Sequence, residues 1–197
     1  MNLLQLRNLT RVRLKDTGNP PLWSDEFIDG QLNEAERETC SRANLIDDDS
    51  SAVTQIAVTT SSKRYAIDPV ITDVIEIEAA LSPGVAVTGW TLTDTHLVFD
   101  RLPTQDDTLT LHCYRRPLID MVDDTDEPEI SARHHDRMVD WAVSLCYLVP
   151  DTDGHNPNAA AFYADRFTQS FGEAKSALTM RNHRDKAPKT VACNGDF

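Results

Sequence analysis

The spacing of apolar residues changes twice along the chain, and this change constrains the fold more than any other feature. Before about residue 46, and again after about residue 130, apolar residues recur every three or four positions, as on one face of a helix. Residues 47–117 are instead rich in valine, isoleucine and threonine with a period near two, which is typical of strands. A chain of 197 residues can bury a sizeable core but excludes a large multidomain enzyme.

Two helices are predicted before the change in periodicity. Residues 3–14 have roughly amphipathic spacing, and the proline pair that follows ends this helix. Ser24 is placed to cap a second helix, with acidic residues in its first turn. Trp23 and Ile28 occupy the two positions of a hydrophobic staple, and the apolar stripe continues from Leu32 to about residue 46.

The middle region predicts an antiparallel β-module. Its strands are expected at residues 53–60, 65–68, 71–79, 90–93, 96–100 and 108–115. The segments 47–51, 82–84, 93–95 and 104–107 have the composition of turns. Short strands joined by hairpin-length turns indicate a sandwich or a small barrel rather than alternating strand and helix units.

The remaining chain predicts a return to helices. Residues 118–130 contain six acidic and no basic residues, which favours a solvated linker. Ser131 is placed to cap a helix that ends near Pro150, and Asn156 and Pro157 are placed to start the last helix, whose apolar stripe runs through Ala174 and Leu178. Residues 182–197 lose periodicity and are expected to be unstructured without a partner.

The predicted fold is therefore α+β. A helical body of about four helices, residues 1–46 and 118–181, carries an inserted β-module, residues 47–117, and a flexible C-terminal tail, residues 182–197. The predicted helical core contains Trp23, Ile28, Leu32, Met138, Trp141, Leu145, Tyr163, Phe167 and Phe171.

Charge limits the possible partners. The formal net charge of -13 repels phosphate backbones, which disfavours tight nonspecific binding to nucleic acid. Basic residues cluster only near the two ends, and two interpretations stay open: ordinary solubility, or docking onto an acidic partner. These residues are Arg7, Arg11, Arg13 and Lys15 at one end and Arg181, His183, Arg184, Lys186 and Lys189 at the other.

Histidines and cysteines suggest no metal site. His134 and His135 are adjacent on a helix, where side chains point about 100 degrees apart and cannot easily share one metal, so an exposed first turn is expected. The four cysteines are far apart and form no CxxC pair, which favours buried free thiols.

Acidic clusters suggest no catalytic centre either. The run Asp47–Asp49 could hold magnesium, but without a paired lysine or histidine it is expected to be solvated. Residues 151–156 begin like a calcium loop, yet Phe162 stands where the bidentate glutamate would be required. Since nucleophile and phosphate-loop motifs are also missing, we predict a protein that is not an enzyme and needs no cofactor.

Three segments resemble the head-to-tail connector adaptor proteins of tailed bacteriophages. The first is Trp23-Ser24-Asp25-Glu26-Phe27-Ile28 followed by Leu32-Asn33-Glu34-Ala35, which is similar to the family's early helix. The second is the helix from Ser131 to Leu148, entered through Glu127-Pro128-Glu129-Ile130. The third runs from Pro150-Asp151-Thr152-Asp153 through Asn156 to Phe167 and is similar to the last interhelix loop and helix.

The resemblance implies a virion protein of the head-tail neck, made in the cytoplasm of the host bacterium. Its partners would be the portal protein, the next tail or neck protein and, in a ring of about twelve copies, further copies of itself. Genomic DNA would pass through without specific binding, and no membrane would be involved. The family's C-terminal segment reaches the portal, so the docking residues would be Arg181, Arg184, Lys186, Lys189 and Phe197.

Two other functions are weighed against this one. Another neck or tail-completion protein would contact the tail first. A metal-dependent enzyme of nucleic-acid metabolism would use Asp48 and Asp49, and it is disfavoured because no general base or nucleophile accompanies them.

Overall fold

A computed structural model describes residues 1–150 and 153–174. This part of the chain folds into two compact units. Residues 1–46 and 116–174 form one, which we term the helical unit, and residues 47–115 form the other, the β unit. The predicted α+β class is confirmed.

In the described chain the helical unit contains four α-helices. They are α1, Leu3–Leu14; α2, Asp25–Ala43; α3, His135–Tyr147; and α4, Pro157–Phe171. As predicted, the Ser24 side chain caps α2 by accepting the Phe27 N–H, and Asn156 caps α4 with Pro157 in its first turn. Asn2 forms a capping box with Gln5 at the start of α1.

The helices bury a continuous apolar core. Leu6 of α1, Leu32 of α2 and Met138 of α3 are completely buried within it. Of the predicted core residues, Trp23, Ile28, Leu32, Met138, Phe167 and Phe171 are buried, whereas Trp141, Leu145 and Tyr163 are half-buried. The packing of α4 on α3 includes the rings of Trp141 and Phe167, whose centroids are 5.0 Å apart.

Two predicted features of these helices are wrong. The chain enters α3 through a 3₁₀ turn, Ala132–His134, so the Ser131 hydroxyl makes no capping hydrogen bond and α3 starts at His135. At the other end of the unit, Gly172 adopts a positive φ of 83° and ends α4, which leaves Ala174 exposed outside the helix. The predicted continuation to Leu178 lies outside the described residues.

The β unit consists of two sheets that share one core. Its strands are β1, Ile46–Asp48; β2, Gln55–Val58; β3, Arg64–Ala66; β4, Ile71–Ala79; β5, Ser82–Ala86; β6, Trp90–Leu92; β7, His96–Phe99; and β8, Asp107–Arg115. One sheet has the order β1-β8-β4-β5, with β2 also paired to β8, and the other has the order β3-β7-β6. Ile77, Leu97 and Leu111 are fully buried in their common core, and the pairs β2–β8, β4–β8, β4–β5, β3–β7 and β6–β7 are antiparallel.

Two segments predicted to be turns are strands. Residues 47 and 48 belong to β1, which pairs with β8, and the buried carboxylate of Asp48 forms an ion pair with Arg115 of β8. Residues 82–84 belong to β5, which lies at the edge of its sheet, where a proline is tolerated because the outer N–H has no ladder partner to lose. The predicted strand at 53–60 is shorter, because Ala52–Thr54 form a 3₁₀ turn before β2.

Candidate functional site

Helix α1 carries an arginine that is buried against two other segments of the helical unit. Arg7 donates two hydrogen bonds to the carboxylate of Asp29 on α2, at 2.8 and 2.7 Å. It also lies 2.9 Å from a carboxylate oxygen of Asp124. The hydrogen bond to Asp29 is the main cause that raises the pKa of Arg7, so this guanidinium is fixed as a structural cation.

The next arginine of α1 holds the start of α2. Arg11 binds Asp16 at 2.8 Å and Asp25 at 2.6 Å, and it donates to the backbone carbonyl of Trp23. The hydrogen bond from Arg11 is the main cause that lowers the pKa of Asp25. Asp16 in turn accepts the backbone N–H groups of Leu22 and Trp23, which fixes the connection between the two helices.

The third arginine ties α1 to α3. Arg13 binds Asp136 at 2.6 Å and Asp140 at 2.8 Å. Asp140 is completely buried, and burial raises its pKa, although Arg13 and Arg166 oppose this effect. Arg166 of α4 approaches the second oxygen of Asp140 to 3.4 Å, so α1, α3 and α4 meet at one carboxylate.

These contacts correct both interpretations of the N-terminal basic cluster. The main role of these arginines is neither solubility nor docking, because Arg7, Arg11 and Arg13 each form an ion pair with a carboxylate of the helical unit. Lys15 is exposed. The predicted docking residues of the tail lie outside the described residues.

The acidic segment 118–130 has mostly exposed acidic side chains, as its composition predicts, but its backbone is fixed on the helical unit. Met121 is buried, and its backbone N–H and carbonyl are both hydrogen-bonded to the side-chain amide of Asn33 on α2, at 2.9 and 3.0 Å. Arg37 of α2 forms an ion pair with Asp120. The segment is therefore fixed on α2 by side chains that a prediction from composition does not connect with it.

This fixed segment presents apolar side chains to solvent. Ile119 is 77% exposed and Val122 is 76% exposed, although Met121 between them is buried. The Asp126 carboxylate accepts the backbone N–H groups of Val122 and Asp123, and these bonds lower its pKa. We refer to Ile119, Val122 and Asp123 as the acidic loop surface.

A second exposed surface lies on α3 and α4. Phe162 of α4 is 57% exposed, and the guanidinium of Arg166, one turn later, lies 5.8 Å from the centre of its ring. Arg137 of α3 has an exposed side chain and reaches Asp136 only at 4.0 Å. We refer to Arg137, Phe162 and Arg166 as the arginine-aromatic face.

Two buried titratable residues were not identified from the sequence. Glu36 of α2 is almost completely buried and accepts the backbone N–H of Ile130 at 3.4 Å. Burial raises its pKa to about 7. His135 is also buried, with Nε2 at 3.0 Å from the Ile130 carbonyl oxygen, which corrects the expectation of an exposed first turn. The sequence did contain a signal for the burial of Glu36: this residue lies four positions after Leu32 and four before Cys40, on the apolar side of α2.

The aspartate that could have held magnesium, Asp48, instead accepts hydrogen bonds from neighbouring residues. Burial alone would raise the pKa of Asp48, but hydrogen bonds from Ser51, Ser50 and Arg115 hold it well below its ordinary value. Over residues 1–150 and 153–174, no cluster of three or more histidine, cysteine or acidic side chains has the geometry to hold a metal ion. Residues 151 and 152 of the calcium-like loop lie outside that range.

The cysteines of the described chain are free thiols, as predicted. Cys40, Cys113 and Cys146 are buried, and burial raises the pKa of the Cys113 and Cys146 thiols to about 12. Burial and a raised pKa make the Cys113 and Cys146 thiols poor nucleophiles, which fits a role in packing.

The family comparison covers both units. A family model described as SU10 adaptor protein matches residues 1–192, which includes both units. The chain belongs to the SU10 adaptor protein family. The resemblance to phage head-to-tail adaptors is thereby confirmed, and this SU10 adaptor is a bacteriophage structural adaptor of the virion neck. None of the curated proteins matches the chain.

Among the helices of the described residues, none combines the length and the apolar character that crossing a bilayer requires.

Proposed function

We propose that this SU10 adaptor forms a ring of about twelve copies beneath the portal and extends the DNA channel toward the tail. The observation that carries the proposal is the family match, which spans the helical unit, the β unit and most of the C-terminal segment. The partners are the portal protein on one side and the next tail or neck protein on the other. No catalytic step is part of this role.

The charge distribution supports the passage of DNA. The chain has a formal net charge of -13, and the three arginines of α1 already bind carboxylates. A lysine or arginine that binds phosphate releases counterions and so adds affinity, which would hold DNA back as it moves. A protein with a strong negative net charge, whose α1 arginines already bind carboxylates, instead lets the duplex pass without specific binding.

The C-terminal segment is the proposed portal contact. Beyond α4, residues 175–197 contain five lysines and arginines but two acidic side chains, whereas the whole chain is acidic. The docking residues in this proposal are Arg181, Arg184, Lys186, Lys189 and Phe197.

The test is a titration of the full chain onto isolated portal rings of the same virus, followed by sedimentation. We expect saturation near one copy per portal subunit. The double variant Arg181→Glu, Arg184→Glu should weaken attachment by about tenfold or more because it reverses two charges of the contact. The matched control is Lys63→Glu, Arg64→Glu, which reverses two exposed charges of the β unit and should bind normally.

Two outcomes would contradict the proposal. Binding to tail components but not to portal rings would favour a tail-side neck protein. Magnesium-dependent cleavage of nucleic acid that disappears in the Asp49→Asn variant would show an enzyme.

A further inference from the structure

We propose that the acidic loop surface of one copy binds the arginine-aromatic face of a second copy. This contact rests on the proposed function, since it supplies the subunit interface of the ring. It joins two different surfaces, so each copy uses one surface on one neighbour and the other surface on the next neighbour.

The acidic loop surface is suited to binding because its exposed apolar side chains stand on a fixed backbone. Ile119 and Val122 flank Met121, whose backbone is held at both polar groups by Asn33. Large exposed aliphatic side chains are normally tolerated singly, but here two occur three residues apart on an immobilised segment. A segment that is already ordered loses little conformational entropy when a partner covers it.

The charge around this surface selects a cationic partner. Asp123 is exposed and forms no ion pair within the part of the chain that the structure describes. Three cations face the same region, but each is already paired: Arg37 with Asp120, Arg7 with Asp124, and the N-terminal ammonium group of Met1 with Glu127. The acids of residues 118–127 therefore outnumber the cations that neutralise them, which disfavours DNA as the occupant and favours guanidinium groups.

The arginine-aromatic face has the complementary chemistry. Phe162 offers an exposed ring, while Arg137 and Arg166 offer guanidinium groups that are paired only at long distances, Arg137 with Asp136 at 4.0 Å and Arg166 with the buried Asp140 at 3.4 Å. The other acids at this face are Asp136, which binds Arg13, and Asp165, which is exposed. Aromatic and arginine side chains are the types that contribute most to protein interfaces.

The acidic loop surface and the arginine-aromatic face of one copy cannot contact each other, because they lie near opposite ends of α1. At its start, the Leu4 N–H donates to the Asp124 carbonyl oxygen of the acidic loop, at 3.2 Å. Near its end, Arg13 binds Asp140 beside the arginine-aromatic face. Nine residues of helix separate these contacts by about 14 Å, at a rise of 1.5 Å per residue. Complementary surfaces at opposite ends of a rigid element favour head-to-tail assembly.

The test uses two variants of the full chain, each defective at one surface. The first is Ile119→Ser, Val122→Ser, and the second is Arg137→Glu, Phe162→Ser. Sedimentation of concentrated protein should show that self-association of each variant alone is weakened at least tenfold. An equimolar mixture should form 1:1 dimers and stop there, because each dimer has used its only intact pair of surfaces. The control Ile75→Ser, Leu81→Ser removes exposed apolar side chains of the β unit and should behave like wild type.

A disulfide test identifies the contact even where the free chain associates weakly. In a Cys193→Ser background, chains with Ile119→Cys are mixed with chains carrying Phe162→Cys under oxidising conditions, in solution and on portal rings. We expect a mixed disulfide dimer and little of either homodimer, because the proposed contact brings residue 119 of one copy to residue 162 of the next and not to a second residue 119. The remaining three cysteines are buried and do not compete.

The proposed contact is overturned if no mixed disulfide forms in either setting, or if mixing the two defective variants gives no more dimer than each alone. A variant that loses self-association but still binds portal rings leaves the proposed function standing. Failure of the wild-type chain to bind portal rings removes the proposed function, whatever the disulfide test shows.

Discussion

At the scale of single residues, the buried carboxyl group of Glu36 is the least expected feature. It accepts the backbone N–H of Ile130, and the side-chain charges that act on it, those of Glu129 and Asp120, are negative. Burial is the main cause that favours the protonated form, and it raises the pKa from 4.5 to about 7. The folded state binds a proton here that the unfolded state releases, so folding is coupled to pH at this one side chain.

The sign of this coupling gives a prediction. The stabilising contribution of protonated Glu36 is fully present below pH 4.5 and is lost as the pH rises through about 7. The Glu36→Gln variant keeps the acceptor but cannot ionise, so its free energy of unfolding should exceed that of wild type by about 1 to 3 kcal/mol at pH 8. Near pH 4.5 the two proteins should be close. Urea unfolding at a series of pH values measures the difference.

The matched control for this experiment lies on the same helix. Glu26 is exposed in the first turn of α2, so Glu26→Gln should leave the pH dependence of stability close to that of wild type. An unchanged pH profile in Glu36→Gln would show that the Glu36 carboxyl group is solvated when the protein is folded.

At the scale of elements, the local rules of the sequence predicted where α2 and α4 begin. Ser24 and Asn156 cap their helices because capping depends on a side chain and a backbone N–H only a few residues away. The partners of the α1 arginines could not be predicted in this way, because Asp29, Asp124 and Asp140 come from three different segments. Charge clusters predict solvation only when the tertiary structure brings no opposite charge to them.

Among the strands, too, those with a local sequence signal were predicted, and those that depend on distant partners were missed. The long strands β4 and β8 were predicted because β4 is rich in β-branched residues and apolar residues alternate in β8. In β8 the buried residues Leu109, Leu111 and Cys113 alternate, whereas in β4 the buried residues Ile71, Val74 and Ile77 lie three positions apart, because the pairing with β8 shifts register between them. Strands β1 and β5 were missed because aspartate, proline and glycine are typical of turns, and their pairing depends on distant strands. The two surfaces proposed to bind each other were likewise missed, since exposure in residues 118–122 follows from how Asn33 holds that segment.

The anchoring by Asn33 leads to a prediction about this segment. In the Asn33→Ala variant the backbone N–H and carbonyl of Met121 lose their buried partner, which should lower the free energy of unfolding by about 2 to 4 kcal/mol. The amides of residues 119–124 should also exchange with deuterium faster than in wild type. Hydrogen exchange followed by mass spectrometry measures this directly.

Asn8 provides the control because it is an exposed asparagine on α1. The Asn8→Ala variant should keep the exchange rate of residues 119–124. If Asn33→Ala also left this rate unchanged, the segment would be held by its other contacts, chiefly those of Arg37 and Arg7 with Asp120 and Asp124.

At the scale of the whole molecule, the β unit is an insertion whose two ends meet. The Cys113 thiol donates to the backbone carbonyl of Asp48 at 3.5 Å, and Arg115 pairs with the Asp48 carboxylate. Each unit also has its own buried apolar cluster. A chain that leaves and re-enters the helical unit through adjacent strands can vary its insertion without separating the helices.

The helical unit should therefore fold without most of the β unit. We expect that replacing residues 49–112 with a short glycine-serine linker leaves the helical circular dichroism per molecule unchanged and preserves cooperative unfolding in urea. Trp23 and Trp141 of the helical unit report this by fluorescence, and the full-length Trp90→Phe variant, which has the same two tryptophans, is the control. Loss of cooperativity in the shortened chain alone would mean that the helical core depends on the β unit. The apolar cluster of the helical unit would then be too small to offset the conformational entropy lost when four helices become ordered.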